Sequence, residues 1–469
     1  MAMTDTATKP VAGTPTILTI FGVTGDLAYR KLFPALMHLF VNGFLPEKTH
    51  IIGVGRRAWN NDDLRAHVTG ALSAKGYHHP QEAIDRFLTL FEYREGDFDD
   101  DGTYERVAQS VAKAETLFGM CTNKLFYFAV PPQYYEMIAR HIASAGLSTP
   151  CADETGWARI LVEKPFGEDT QSAMALDALL GSLFKESQIY RIDHYLAKEA
   201  LQNILAFRFS NTLYESIWDA RSIERVEIVV HESDGVGTRG AFYDRAGALR
   251  DVGQNHVLQM LAVIAMERPK SMSGEDVRAE REAVLASILP IKDVQRAQYE
   301  GYRHEPGVNP ESDTETFFRA TAYLSGERWN GVPFVLESGK KMAQSLVEIR
   351  VHFRAAACLC PPENHIPHAN MLTFRIQPDE AIGSLFWMKS PGFAFKLEPQ
   401  ELSFEYAQSK EMNMIPDAYE RILFDCIAGD QTLFLSTQEV LSAWKSITPI
   451  LETWKSTPLI TYPQGSATV

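Results

Sequence analysis

Cysteines, long apolar runs and signal sequences are scarce or absent in this chain. Its five cysteines are odd in number and scattered, at Cys121, Cys151, Cys358, Cys360 and Cys426. That pattern favours a reducing compartment, the cytoplasm, over a disulfide scaffold. No run of about 18 apolar residues occurs, so no transmembrane helix is predicted. Residues 1–14 are polar and lack the apolar core of a signal peptide, so we interpret them as a loose tail.

Basic charge is also in short supply. Lysine and arginine number 45 against 60 aspartate and glutamate, which gives a net charge of −15 with no basic tract. This balance argues against nucleic acid or an acidic membrane as a partner. An anionic substrate would therefore need a locally basic pocket. The 45% hydrophobic and 22% charged content is typical of a globular protein, and 469 residues predict two or three domains.

The first part of the chain alternates short apolar runs with helical patterns, which is typical of a parallel sheet with crossover helices. We predict strands at residues 17–21, 51–54, 88–93, 124–130 and 159–162. The interpretation is an α/β N-terminal dinucleotide-binding (Rossmann-like) domain over residues 15–192.

Two features of this domain predict a coenzyme site. The first strand runs into Gly22 and Gly25, which would let the backbone turn and approach a pyrophosphate at a helix N-terminus. The spacing is G-x-x-G and not the usual G-x-G-x-x-G, so a simple strand-to-helix turn is the alternative. After the second strand come Arg56 and Arg57, where an NAD-selective site would place a carboxylate. Two cations favour the 2′-phosphate of NADP, with NAD open as a secondary coenzyme.

Lys164 follows the last predicted strand, in a Glu-Lys-Pro-Phe-Gly run. Residues at the carboxyl ends of parallel strands face the ligand crevice, so Lys164 could reach both coenzyme and substrate. A solvent-facing lysine in a loop is the alternative.

The run at residues 191–199 combines one acid with two cations. A helix starting near Asp193 would place His194 and Lys198, four residues apart, on one face. Like charges so placed repel, and a bound anion such as a phosphate ester would relieve the repulsion. A solvated helix face is the alternative.

The second part of the chain is rich in short β-like runs, at residues 225–230, 316–324, 334–337, 348–353, 371–376 and 393–397. Helices are predicted at residues 195–207, 252–266, 278–289, 418–428 and 439–454. We interpret residues 193–469 as an α+β C-terminal domain with a large, mostly antiparallel sheet.

His256 lies on an apolar helical stripe, so a core histidine is one interpretation. Against it, Asp251, Gln254 and Asn255 crowd polar groups into the same helix start. A buried helix tolerates such groups only at a polar pocket.

Taken in order, these segments resemble the glucose-6-phosphate dehydrogenase family over about residues 16–454. The matching runs are the G-x-x-G-D-L-A loop with Lys31, Glu163 to Gly167, the nine residues around His194, Arg250-Asp251 with Gln254-Asn255-His256, Gly339-Lys340, and Pro416 to Arg421. The resemblance implies oxidation of glucose 6-phosphate at C1 to the 6-phospho-lactone with reduction of NADP, the first oxidative step of the pentose phosphate pathway. It also implies a homodimer or homotetramer formed through the C-terminal sheet.

The resemblance further implies a role for each matching residue. His256 would be the general base and Asp193 the carboxylate that orients it. Residues that would hold the sugar phosphate are Lys164, His194, Tyr195, Lys198, Glu232, Asp251, Lys340 and Gln377. Residues on coenzyme-contacting segments are Gly22, Gly25, Asp26, Leu27, Lys31, Arg56, Arg57, Pro131 and Lys164. No metal is expected.

Two rival functions stay open: a sugar dehydrogenase of the glucose-fructose oxidoreductase type, and a sugar-phosphate sensor that has lost catalysis. Where the family usually has a second basic residue, this chain has Ser345, so substrate affinity could depend on Lys341 instead. A metal site from Cys358, Cys360, His365 and His368 is the less favoured interpretation of that loop, because its spacing is unusual for zinc.

Overall fold

Two β-sheets organise the chain. A computed structural model describes residues 14–75, 79–150, 156–356, 368–408 and 415–469. One core of buried apolar side chains runs through both sheets and the helices on them, and a smaller cluster lies under the last strand.

The first sheet is parallel, as predicted, with strand order β6-β5-β4-β1-β2-β3. The strands are β1 (Thr16–Phe21), β2 (Thr49–Gly55), β3 (Phe91–Glu95), β4 (Asn123–Phe128), β5 (Ala158–Val162) and β6 (Ile189–Ile192). β1 and β4 are buried at every position, which explains their continuous apolar runs. A seventh strand, β15 (Phe434–Leu435), comes from the far end of the chain and pairs antiparallel with β6.

Helices cover both faces of this sheet. They are α1 (Phe33–Val41), α2 (Asn61–Ala74), α3 (Gln81–Leu88), α4 (Asp101–Phe118), α5 (Tyr135–Ser144) and α6 (Thr170–Leu183). Polar side chains fix several helix starts. Asn60 and Asp63 form a capping box on α2, and Asp100 caps α4.

The second sheet has nine strands in the order β14-β13-β12-β11-β7-β10-β9-β8-β16. They are β7 (Ile223–His231), β8 (Lys292–Tyr299), β9 (Phe317–Ala322), β10 (Phe334–Gly339), β11 (Leu346–Phe353), β12 (Met371–Gln377), β13 (Ala381–Lys389), β14 (Leu397–Glu405) and β16 (Ile460–Tyr462). Six of its pairings are antiparallel, and β10 with β7 and β16 with β8 are parallel. The predicted large, mostly antiparallel sheet is confirmed.

The helices of this half are α7 (Glu199–Ser210), α8 (Thr212–Glu215), α9 (Gly240–Ala248), α10 (Leu258–Ala265), α11 (Gly274–Ala286), α12 (Ala418–Ala428) and α13 (Thr437–Trp454). Between α9 and α10 the residues Leu249–Val257 are π-helical, and eight of those nine are buried. None of the helices within the described ranges is long and apolar enough to cross a bilayer.

Three predicted elements are wrong in their placement. The strand at 88–93 starts later, at Phe91, because α3 continues to Leu88. The strand at 393–397 is instead β14, which runs from Leu397 to Glu405. The helix predicted at 195–207 begins only at Glu199, because hydrogen bonds to Asp193 hold the preceding residues in a turn.

Candidate active site

A buried histidine–aspartate pair forms the centre of the site. Asp193 follows β6 directly, and His256 projects from the π-helical segment. His256 Nδ1 lies 2.5 Å from Asp193 Oδ1, and the two residues are 3% and 1% exposed. The Tyr195 ring stacks on the imidazole with centroids 4.0 Å apart, and the His194 ring meets it edge-on at 4.8 Å. Sequence reasoning left His256 open as a core residue, whereas its carboxylate partner marks it as a candidate base.

The segment that carries Asp193 is a turn and not the helix that we predicted. Asp193 Oδ1 accepts a hydrogen bond from the backbone N–H of Tyr195 at 3.0 Å, and the N–H of Leu196 donates to Asp193 O. These contacts hold the chain in a turn, since a short polar side chain competes with helical hydrogen bonding. Lys198 becomes the residue before α7, so His194 and Lys198 do not share a helical face.

Burial and charge leave both histidines neutral near neutral pH. Burial lowers the pKa of His256, and Asp193 opposes that shift only in part. Burial also lowers the pKa of His194 well below its usual value, helped by His256, Lys164 and Lys198. Burial alone would raise the pKa of Asp193, but the attraction and hydrogen bond of His256, together with His194 and the Tyr195 N–H, outweigh it and the net shift is downward. A neutral imidazole beside a carboxylate can accept a proton, and the resulting cation is stabilised in place.

Lys164 reaches the site from the end of β5, where the turn contains a cis peptide bond to Pro165. Its Nζ lies 3.2 Å from Asp251 Oδ1, and Arg239 approaches the same carboxylate at 3.4 Å. Burial would raise the pKa of Asp251, but Lys164, Arg239 and Lys340 hold it well below the usual range. Asp251 is therefore ionised and holds Lys164 in an ion pair.

The second sheet contributes another charged pair. Lys340, at the end of β10, donates to Glu232 Oε2, and its Nζ lies 5.1 Å from the Tyr243 ring centroid. Gln377 lies apart, exposed at the end of β12, which is separated by β11 from the strand that leads to Glu232. Among the predicted substrate residues, Gln377 is therefore the one that no contact joins to the others within the described part of the chain.

A cavity of about 460 Å³ lies at the ends of β1 and β2, the edge at which parallel sheets of this kind bind dinucleotides. Its lining residues are Gly22, Thr24, Gly25, Gly55, Arg56, Arg57, Phe98, Ala129, Val130, Pro131 and Tyr134. Gly22 has φ +84°, and a Cβ there would lie 2.3 Å from Ala129 O, so the loop requires glycine. Arg56 lies over the Tyr134 ring and Arg57 over the Trp59 ring.

The remaining predicted coenzyme residues lie beside this cavity and do not line it. Asp26 pairs with Arg30 at 2.7 Å and is exposed, while Leu27 packs against the core. Lys31 Nζ lies 3.7 Å from Asp417 and 5.7 Å from the Tyr419 ring centroid. Lys31 thus faces the start of α12.

A second cavity, of about 570 Å³, lies beside the first, and Pro131 lines both. Its walls include Lys164, Asp251 and Asn255, and also Arg239, Arg245 and Arg250. The first cavity is thus lined by the paired arginines, and the second by Lys164 and by Asn255, the residue before His256.

Glu163 and Tyr419 are site residues to which sequence reasoning gave no role. Glu163 accepts a hydrogen bond from Tyr127 Oη at 2.6 Å. Burial raises the pKa of Glu163 to about 7, although Tyr127, Lys164 and Tyr419 oppose the shift. Tyr419 also lies nearly parallel to the His194 ring, 6.2 Å away. The signals were present, because each residue sits in a run that carries the family resemblance.

Potential metal ligands occur in two places. The ligand atoms of Asp193, His194 and His256 lie within 4.8 Å of one another, and the first and last of these residues are joined by a hydrogen bond. Of the loop considered from the sequence, Cys358, Cys360 and His365 lie outside the described residues. His368 packs edge-on against the Trp387 ring at 4.4 Å.

A dinucleotide-binding sheet that opens onto a buried histidine–aspartate pair and a cationic pocket defines a dehydrogenase-type oxidoreductase. Two protein-family models that match the chain are consistent with this class. The model of the glucose-6-phosphate dehydrogenase NAD-binding domain matches residues 19–203, and that of the C-terminal domain matches residues 205–468. The chain belongs to the glucose-6-phosphate dehydrogenase family.

Individual relatives cover almost the whole chain. Glucose-6-phosphate 1-dehydrogenase 5, cytoplasmic, of Arabidopsis thaliana is 39% identical over 98% of this chain and 90% of its own. The glucose-6-phosphate 1-dehydrogenase of Bacillus subtilis is 37% identical over 96% and 94%. A solved glucose-6-phosphate dehydrogenase in complex with glucose 6-phosphate superposes with a TM-score of 0.90 at 35% identity, covering 99% and 96%.

Proposed function

We propose that this protein oxidises glucose 6-phosphate at C1 to 6-phospho-D-glucono-1,5-lactone, with NADP as hydride acceptor. The observation that carries the proposal is the buried His256–Asp193 pair, with Lys164 held by Asp251 beside it. Relatives that span nearly the whole chain carry the name of this enzyme.

The reaction needs a base and a hydride acceptor. His256 takes the proton of the C1 hydroxyl on its free Nε2, while Asp193 fixes the tautomer through Nδ1 and stabilises the imidazolium. The C1–H bond breaks with its electron pair, and the C1–O bond becomes the lactone carbonyl. A bound nicotinamide coenzyme supplies the acceptor for that hydride.

The remaining polar residues would hold the substrate. His194, Tyr195 and Lys198 come from the turn after β6 and would bind the phosphate. Lys164, Glu232, Asp251 and Lys340 would bind the sugar. Gln377 was predicted with them, but it lies apart at the end of β12. His194 is neutral before binding, so it would act as a hydrogen-bond donor to the phosphate beside the cationic Lys198.

NADP is the proposed coenzyme, and NAD is a secondary one. The glycine turn and the helix start behind it suit the diphosphate, and Arg56 and Arg57 suit the 2′-phosphate. Of the remaining candidate coenzyme residues, Pro131 borders the same cavity, whereas Asp26, Leu27 and Lys31 would act from beside it. Replacing both arginines with alanine should raise the KM for NADP and leave that for NAD little changed.

The rival functions have less support. A sensor that had lost catalysis would be expected to lack the base or its carboxylate, and both are present and in contact. A levoglucosan dehydrogenase structure superposes with a TM-score of 0.52 at 12% identity, which reflects a shared fold.

We further propose a homodimer or homotetramer, formed through the second sheet, in the cytoplasm. The supporting feature is an exposed apolar patch on β13, β14 and their connection, formed by Met388, Phe393, Phe395, Leu402 and Phe404. Large exposed apolar patches mark interfaces.

The decisive experiment measures coenzyme reduction by absorbance with glucose 6-phosphate, NADP and NAD in turn. We expect reduction of NADP with glucose 6-phosphate and hardly any with free glucose. Comparable turnover of both sugars would contradict the assignment of a phosphate site.

A further inference from the structure

One buried carboxyl group has no part in the reaction described so far. Glu315 precedes β9 and is 4% exposed. Its Oε1 accepts a hydrogen bond from the N–H of Leu249 at 3.0 Å, and its backbone carbonyl accepts one from the N–H of Ala248 at 3.0 Å. These amides lie at the start of the π-helical segment Leu249–Val257. The first amides of a helix lack partners within it, so Glu315 satisfies groups that burial would otherwise leave unpaired.

The carboxyl group of Glu315 packs closely against the backbone at Gly247. Gly247, just before the helix, has φ +73°, and a Cβ there would lie 2.4 Å from Glu315 Oε1. A larger residue would therefore meet both backbone strain and the carboxyl group. The glycine, the carboxyl group and the helix start form one rigid unit.

The same helix carries Asp251 and His256, which contact Lys164 and Asp193 from the other sheet. We propose that Glu315 is a positioning residue, which anchors the start of this helix and so sets His256 against Asp193. The activity measurements below rest on the proposed function, whereas the hydrogen-exchange measurement does not.

Ionisation of Glu315 should strengthen the anchor. The charged and titratable groups that face it are Arg250 from the helix, Arg296 from β8, Tyr243 from α9 and Tyr302 from the turn after β8. Burial raises the pKa of Glu315 to about 7, against the opposing effects of the Leu249 N–H and the two arginines. A carboxylate is a stronger acceptor than a carboxylic acid at a helix N-terminus, so the anchor strengthens as the pH rises through about 7.

Two variants test the proposal. Glu315→Ala removes the anchor and should lower kcat about 10- to 100-fold, since small misplacements of a base are costly. The KM for coenzyme should change less than about two-fold, because the coenzyme cavity belongs to the other sheet. Glu315→Gln keeps an oxygen acceptor and should retain most of kcat. Because the pKa of Glu163 is also raised to about 7, the pH profile is compared in a Glu163→Gln background, where Glu315→Gln should lose the ionisation near pH 7 and keep the lower one of His256. Ser273→Ala removes the cap of the remote helix α11 and should leave kcat unchanged.

Hydrogen exchange of the backbone amides of residues 248–251 tests whether Glu315 anchors the helix start, and it requires no activity measurement. Exchange there should accelerate in Glu315→Ala while amides of α13 keep their protection.

If the wild-type protein fails to reduce coenzyme, the proposed function fails and exchange still tests the anchor. Unchanged exchange or unchanged kcat in folded Glu315→Ala would overturn the proposal. So would a Glu315→Gln enzyme that keeps the ionisation near pH 7 in the Glu163→Gln background, or one that is as impaired as Glu315→Ala. If Glu315→Ala does not fold, Glu315→Gln decides alone.

Discussion

At the scale of single residues, the proposed mechanism assigns proton transfer to His256 and its partner Asp193. We expect His256→Asn to fold and to lower kcat by about 10²-fold or more, the usual effect of removing a general base. The KM for glucose 6-phosphate should change far less. Steady-state kinetics with both substrates varied would measure the two effects separately.

The variant Asp193→Asn, alone and combined with His256→Asn, tests whether Asp193 and His256 act as a unit. The double variant should then lose little more than either single variant, because the two side chains serve one step. Attraction to Asp193 raises the pKa of His256, so in Asp193→Asn the acid limb of the pH profile should move to lower pH. If the fold loss in kcat of the double variant equalled the product of the two single losses, His256 and Asp193 would have independent roles.

The raised pKa of Glu163 predicts that the stability of the folded protein depends on pH. Its pKa is raised from 4.5 to about 7, so between these values the folded protein keeps a proton that the unfolded chain has released. The free energy of unfolding should therefore fall as pH rises through that window. Glu163→Gln has no such proton, and relative to wild type it should gain up to about 3 kcal/mol between about pH 4.5 and about pH 7.5.

Urea unfolding across that pH range measures the difference between the two proteins. Glutamine keeps an oxygen for the Tyr127 hydroxyl, which donates to Glu163 at 2.6 Å, so packing should change little. Replacement of the exposed Glu82 with glutamine is the matched control. A Glu163→Gln difference that does not vary with pH would mean that the carboxyl group is not titrating in this window.

At the scale of elements, the turn between β10 and β11 contains Ser345, the position at which the family resemblance predicts a second basic residue. Ser345 Oγ lies 2.9 Å from Ser233 Oγ and accepts from the Ser233 N–H, while the neighbouring Lys341 lies against Gly235. Ser345→Lys should lower the KM for glucose 6-phosphate by about ten-fold, since a charge-assisted hydrogen bond contributes about 1.5–3 kcal/mol. The value of kcat should stay constant, because the phosphate is bound alike in ground and transition states.

Ser345→Met is the matched control, with similar length and no charge. Lys341→Ala shows whether that lysine already fills the role, in which case its KM should rise. If neither Ser345→Lys nor Lys341→Ala altered KM, the phosphate would be held by other cations.

The sequence predicted the buried elements better than the exposed ones. β1, β2, β4 and β5 were recognised because strands buried on both faces carry unbroken apolar runs. β14 was misplaced because nearly every residue in it is exposed, so it shows no alternation of apolar and polar residues. β15 and β16 have two and three residues, too few for any period to appear.

The candidate site was predictable as a set of residues but not as a geometry. Asp193, His194 and Lys198 were identified by their chemistry, yet the helix assigned to them is a turn, because the Asp193 side chain binds the backbone two residues on. Arg239 and Glu315 carried no sequence signal, since each acts through a contact between segments far apart in the chain.

At the scale of the whole molecule, the exposed apolar patch on β13 and β14 should determine assembly. Leu402 and Phe404 are 68% and 51% exposed, and burying them against a second copy would remove that area from water. We expect a Leu402→Glu, Phe404→Glu double variant to dissociate to a smaller species in sedimentation velocity. Leu117→Glu, at an 81% exposed position in the first half, should sediment like wild type. An unchanged size of the double variant would place the interface elsewhere.

The pairing of β15 with β6 bears on how the molecule is made. Synthesis proceeds from the N-terminus, and the edge of the first sheet stays uncovered until residues 434 and 435 have left the ribosome. An open strand edge invites pairing with other chains. The strand that leads into Asp193 therefore presents an open edge to other chains during the synthesis of more than 200 further residues.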